Sequence, residues 1–152
     1  MDDHAQICNL LYRYAELINT GQFDAVGALF RYGRVRVDGN PNVYEGEHAV
    51  ANMYRSTVNA SAGGPDSLLF TSNTQIELNG DQAVVKSYFC ALHQRPGQIV
   101  PIVAGRYKDA LERLDGQWWF RERRMTVDLL GDLGEHLHGA IDDYMPDRRS
   151  AT

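Results

Sequence analysis

From Asp3 to Ile18 the apolar residues fall at Ile7, Leu10, Leu11, Tyr14, Ala15 and Ile18. This is the i, i+3, i+4, i+7 spacing that gathers one stripe on one face of a helix. Asp2 or Asp3 can cap its start, and Asn19 and Gly21 tolerate the left-handed geometry of a helix end. A second, shorter helix is predicted over "FDAVGALF", with Phe23, Val26, Leu29 and Phe30 on one side. "RVRVDG" alternates as a short strand running into a turn. Helical spacing returns in "EGEHAVANMYRSTV" through Val50, Met53, Tyr54 and Val58. The Gly-, Ser- and Pro-rich "NASAGGPDS" is a loop.

After this loop the period changes to two and stays there. "SLLFTSNTQIEL" turns at Asn79-Gly80 into "DQAVVKSYFCALHQ", the strongest short hairpin signal. "RPGQ" makes the next turn into "IVPIVAGRYKDALERL", and Asp115-Gly116 leads into "QWWFRERRMTVDLL". Four long strands joined by short turns make an antiparallel meander. Helices first and a long meander after them indicate an α+β fold, with the N-terminal helices covering one face of the sheet. Strands of about 12–16 residues exceed the usual length, so they must bend. Gly105, in mid-strand, suits a bend or bulge. A bent sheet closed by helices forms a cone with a pocket at its mouth. No linker divides the chain. Residues 1–140 are expected to form one domain, ending in one short helix, and 141–152 a polar tail.

Composition adds exclusions rather than direction. The chain has 152 residues, 43% hydrophobic and 23% charged, with a formal net charge of -5. That length suits one domain able to bury a core without staples. An acidic balance without a basic run is not the footprint of a nucleic-acid binder. The opening "MDDHAQICNL" has no basic stretch followed by an apolar one, so no secretory leader is expected. No apolar run approaches the roughly 18–20 residues of a membrane span. A cytoplasmic location is the default expectation. Cys8 and Cys90 lie far apart and read as reduced, buried thiols. Neither CxxC nor HxxxH spacing occurs, so no metal site is expected. Without a Gly-rich phosphate loop or nucleotide fingerprint, the expectation is a site that uses no cofactor.

Taken together, "ICNLLYRYAELINTGQFDAVGALF", "YEGEHAVANMY", "TSNTQIELNGDQAVVKSY", "GRYKDALERLDGQWWFRERR" and "VDLLGDLGEHL" resemble the SnoaL-like branch of the nuclear transport factor 2-like superfamily. The resemblance covers roughly residues 4–138. It implies a cone-shaped α+β barrel with a hydrophobic cavity, often a homodimer packed through its sheet. Relatives include scytalone dehydratase, bile-acid 7α-dehydratase, a lindane dehydrochlorinase and polyketide cyclases. Others bind ligands without chemistry or serve as association modules, so fold does not settle function.

The dehydratase and dehydrochlorinase relatives use a His–Asp dyad, in which a carboxylate orients an imidazole that acts as general base. Aligned by the resemblance, the Asp position falls on Asn19 and the His position on Leu69, so neither member of the dyad is present. Asn19 then reads either as a neutral anchor for a ligand oxygen or as a helix-end amide satisfying backbone groups. The resemblance matches Tyr14 to a cavity tyrosine able to donate to a developing oxyanion; the alternative is a core tyrosine. His93 shares its face with Val85, Phe89 and Ala91 and is the best replacement base, unless it is an ordinary strand-end histidine. Asp128 could rebuild a dyad with it. Asp109 sits among apolar neighbours and needs a partner if buried. Arg123 and Arg124 are the candidates, and the resemblance aligns Arg123 with a cavity arginine. Arg106 and Lys108, on the other row of that strand, read as solvated. His136 and His138 could lid the mouth.

Tyr54, Leu69, Phe89, Tyr107 and Trp119 are expected to complete the lining with Asn19 and Arg123, an arrangement suited to a flat apolar ligand with few polar handles. Three readings stay open. One is a cofactor-free lyase, isomerase or cyclase on a hydrophobic ring compound, with Tyr14, His93 and Asp128 moving protons. Another is a binder of a small hydrophobic ligand without turnover. The last is a dimeric association module. An Asp–Arg–Asp set of Asp109, Arg123 and Asp128 around a water is a minor variant of the first.

Overall fold

The computed structural model describes residues 2–57 and 66–131. Val58 and most of the expected loop (residues 59–67, of which only Asp66 and Ser67 are described, Ser67 opening a strand), the expected terminal helix, the 141–152 tail, and His136 and His138 lie outside them. Helix α1 spans Asp3–Asn19, and Asp2 is its N-cap, its side chain accepting from the Ala5 N–H at 2.7 Å. Thr20 closes the other end, where its backbone N–H and hydroxyl both donate to the Glu16 carbonyl. Ile7, Leu11, Tyr14 and Ile18 of its stripe are buried. Helix α2 (Phe23–Ala28) and helix α3 (Gly46–Thr57) pack together. The contact leaves no room for a side chain on α2: a Cβ on Gly27 would lie 2.3 Å from the Glu47 carbonyl oxygen.

Strands β1 (Arg34–Val37), β2 (Val43–Glu45), β3 (Ser67–Asn79), β4 (Gln82–Arg95), β5 (Gln98–Leu114) and β6 (Gln117–Leu130) form one sheet in the order β2-β1-β6-β5-β4-β3. The expected meander is β3 to β6. Its turns carry residues that accept positive φ: Gly80, Gly97, and the pair Asp115 (φ 50) and Gly116 (φ 78). Positive φ at both loop residues is the type I′ geometry that matches strand twist. The first hairpin closes on Gly80-Asp81, between the paired Asn79 and Gln82, one residue later than predicted. Two features are new. Short β2 pairs with β1, and β1 runs parallel to β6, with Val35 opposite Arg123.

The sheet bends where its ladders slip. On β6, Arg121 and Asp128 are each left without a register partner, as is Ile102 on β5. On β3 the slip falls at Asn73-Thr74, and Asn73 has φ 53. Such bulges kink a strand and strengthen its local twist. Gly105 stands at one of them, as the sequence suggested. The inner, helix-covered face carries Val85, Phe89, Tyr107, Leu111, Trp118 and Phe120, which join Ile7, Leu11, Tyr14, Phe30 and Tyr54 in one core. Among the described residues no helix is long and apolar enough to cross a membrane.

Candidate functional site

At the centre of the inner face lies a charged pair that the core encloses. Asp109 on β5 and Arg123 on β6 are register partners. Arg123 Nε and Nη2 donate to the two Asp109 oxygens, each at 2.8 Å. Both side chains are fully buried. The guanidinium carbon lies 3.7 Å from the Tyr107 ring centre, 4.2 Å from that of Tyr14 and 4.9 Å from that of Phe120. A weakly hydrated, planar cation is well suited to such a box. Burial raises the pKa of the Asp109 carboxyl, against the pull of Arg123. Burial also works to lower the pKa of Arg123, but the Asp109 carboxylate overcomes it and leaves the guanidinium more firmly protonated. Protonated arginine and two matched oxygens make this an ion pair.

Arg123 has one donor left over. Its Nη1 is buried and has no hydrogen-bond partner among the described residues. Close by, the Tyr14 and Tyr54 hydroxyls are 2.5 Å apart. Tyr107 lies edge-on to Tyr14 at 6.0 Å and stacks on Phe89 at 4.5 Å. Burial raises all three tyrosine pKa values, strongly for Tyr54 and Tyr107, while the charge of Arg123 pulls each back. The hydroxyls therefore remain neutral donors throughout the physiological range. Ser87, opposite Tyr107 on β4, adds a buried hydroxyl without a partner among the described residues. The sequence reading passed over it. Its only signal was its place in the alternating row Val85, Ser87, Phe89. Toward the bent end of the same face, Leu69, Val103, Met125 and Val127 pack on the core while only partly buried.

The structure thus brings Tyr14, Tyr54, Phe89, Tyr107 and Arg123 together, with Leu69 packed on the same core, and engages Asn19, His93, Asp128 and Trp119 in other contacts. Asn19 is engaged with backbone. It accepts from the Leu69 N–H at 2.7 Å and donates to the Leu69 carbonyl at 2.8 Å. The two positions that the resemblance assigns to a dyad do meet, but as a side-chain clamp between the end of α1 and edge strand β3. His93 is buried on the inner face, its Nδ1 3.0 Å from the Ser67 hydroxyl. Asp128 points the other way. As a bulge residue it stands on the outer face, bound to Arg106 through Nε at 2.8 Å and Nη2 at 2.9 Å. The proposed His93–Asp128 dyad and the Asp109–Arg123–Asp128 set are therefore not formed. Trp119 does not line the interior either. The unpartnered Arg121 shifts the alternation, so that Trp118, Phe120 and Arg123 face inward, and Trp119 packs edge-on against Tyr32 at 5.0 Å. Among the described residues no group of His, Cys, Asp or Glu side chains could hold a metal ion.

The clamp makes a prediction. Asn19→Asp, the residue type the resemblance expects at this position, sets an oxygen against the Leu69 carbonyl where the amide now donates. Stability should fall by roughly 1–2 kcal/mol at neutral pH, and the deficit should shrink near pH 4 as the carboxyl regains a proton. Urea unfolding at the two pH values checks it, and an unchanged midpoint at neutral pH would count against the clamp.

The fold is shared with solved structures. A Mycobacterium tuberculosis protein of unknown function superposes with a TM-score of 0.75 at 21% identity, over 93% of this chain and 86% of that one. A nuclear transport factor 2-like protein with a cystatin-like fold from Novosphingobium aromaticivorans gives 0.74 at 18%, over 91% and 88%. A scytalone dehydratase candidate from the same organism gives 0.68 at 22%, over 86% and 87%. No functionally curated protein matches the sequence. The model of the SnoaL-like domain matches residues 1–124. With that match, and with a curved α+β sheet covered by N-terminal helices, this chain belongs to the SnoaL-like domain family.

Proposed function

We propose that the protein binds a small hydrophobic ring compound and acts on it as a cofactor-independent lyase, isomerase or cyclase, without the His–Asp dyad of its relatives. The observation that carries this reading is the Nη1 of buried Arg123, without a hydrogen-bond partner among the described residues, beside the paired Tyr14 and Tyr54 hydroxyls. Orphaned buried donors are uncommon. A carbonyl or phenol oxygen of a ligand is the kind of group that would satisfy this one. A fixed cation and neutral hydroxyls, held away from water, stabilise charge that develops on such an oxygen. Phe89, Leu69, Met125 and Val127 supply apolar surface for the ring. The chemistry favoured is electrophilic, acting on an enolate or phenolate. The base in this reading is His93, buried on the same face with its Nδ1 beside the Ser67 hydroxyl.

The test is a screen of ring hydroxy-ketones for elimination, isomerisation or exchange of the α-hydrogen. Tyr14→Phe should lower kcat/KM by tenfold or more, about 1.4 kcal/mol in the barrier. Leaving the Tyr54 hydroxyl without this partner should cost roughly 1–3 kcal/mol of stability, so the rate is compared well below the lowered melting transition. An equal rate in Tyr14→Phe would remove the electrophilic role. Ligand-induced stabilisation without turnover of any compound would favour a binder. A second reading has its own observation. Leu68, Phe70, Tyr88 and Leu129 are exposed on the outer face of the sheet, which suits association with a second copy.

A further inference from the structure

On the outer face, opposite the buried pair, the register of the sheet lines up cations. Lys86 on β4 is directly opposite Lys108 on β5, Lys108 is opposite Arg124 on β6, and Arg124 is opposite Arg36 on β1. Like charges directly opposite one another destabilise a sheet, so such a row calls for compensation. Two members have it. Arg124 donates to Asp38 at 2.6 Å, and Arg36 approaches Glu122 at 3.5 Å. Arg106, one rung along, is occupied by Asp128. Lys86 and Lys108 make no ion pair among the described residues. They lie side by side on the floor of an open groove of about 460 Å³, whose walls include Asn73, Gln75, Tyr88, Arg106 and Thr126. This concentration of positive charge stands on a chain whose net charge is -5.

We propose that this groove is a binding site for a small molecule bearing a compact group of two or more negative charges, a phosphate ester or a vicinal dicarboxylate. Adjacent strands are about 4.8 Å apart, so two flexible ammonium groups can converge on the oxygens of one such group. Lysine acts here as a mobile point charge rather than a fork. The bound Arg106 and Arg124 frame the site, and their carboxylate partners Asp38 and Asp128 restrict it to anions small enough to sit over the lysines. The half-exposed ring of Tyr88 gives an organic body a surface to lie on. The groove's lining touches Tyr107 and Ser87 of the buried face. The charges that would hold the anion, Lys86 and Lys108, take no part in the arrangement of Arg123 and the tyrosine hydroxyls, so the proposal does not rest on the function proposed for that face.

The experiment is calorimetric titration of the full chain with inorganic pyrophosphate in one arm and citrate in another, at low and at physiological salt. The same titrations are made on Lys86→Gln/Lys108→Gln. Wild type should bind at least one of the two anions saturably, and more weakly as salt screens the charges. The arm that binds identifies phosphate or carboxylate as the preferred group. The double variant should bind at least tenfold more weakly. It should also melt higher than wild type without ligand, because removing two facing charges relieves their repulsion. That second readout shows that the variant folds. No saturable binding in either arm, or equal binding by the double variant, overturns the proposal. So does a solution dimer in which both lysines resist acetylation, since a second copy would then cover the groove.

Discussion

Asp109→Ala should lower the stability of this protein by about 3–5 kcal/mol, because it leaves a buried arginine without its counter-charge. Both side chains are completely shielded from solvent. Arg123 cannot escape by losing its proton, and the aromatic rings around it give its Nε and Nη2 nothing to donate to in place of the carboxylate. For a domain of this size, each kcal/mol corresponds to roughly 2–4 °C in Tm, so the melting transition should fall by about 10 °C. Removing both charges is a different experiment. Asp109→Leu with Arg123→Met fills the same space with apolar atoms and should recover most of the loss, as buried pairs elsewhere do when replaced together. The double variant should nevertheless lose any chemistry that depends on the spare Nη1 donor. A single Asp109→Ala variant that melts with wild type would show that the pair is not sealed as described.

Gly105→Ala is the second large effect. A Cβ there would stand 2.0 Å from the Thr126 carbonyl oxygen and 2.9 Å from two atoms of the Phe89 ring. The first of these is backbone in the neighbouring strand and cannot swing aside. The second is the ring that stacks on Tyr107. Overpacking typically costs about 1–3 kcal/mol; contact with backbone places this variant at the upper end, roughly 3 kcal/mol. The near-ultraviolet circular dichroism should change as well, since relief of the clash moves Phe89 and with it Tyr107. If stability fell while the aromatic signal stayed fixed, the strain would be confined to the strand. If neither changed, β5 and β6 would be further apart here than described.

Local features of the sequence carried the helices and the meander. The stripe of α1, the alternation of β3 to β6 and the residues of their turns are each set within a few positions of one another. Strand β2 was not legible because Val43-Tyr44-Glu45 is too short to show a period. The parallel pairing of β1 with β6 leaves no local mark at all. The site divided in the same way. Tyr14 and Tyr54 lie on helical stripes, and Phe89 and Tyr107 on clean alternation, so their inward direction could be read. Trp119 could not, because the extra residue at Arg121 reverses the alternation between Phe120 and Arg123. Asp128 is itself an extra residue, and its direction depends on the slip. The consumption of Asn19 by the backbone of Leu69 depends on how closely α1 approaches an edge strand fifty positions away, which no spacing rule reports.

The parallel contact of β1 with β6 also has a kinetic side. Val35 waits for a partner some ninety residues further along the chain. While the chain is being made, α1, α2, α3 and β1 emerge with their apolar stripes turned toward a sheet not yet synthesised. Helices can form locally in that interval, but they have nothing to bury against. Long-range pairing of this kind slows folding and prolongs the exposure of sticky surface. Truncation before β6 should therefore give an insoluble product rather than a smaller folded one, and slower synthesis at low temperature should raise the yield of the full chain.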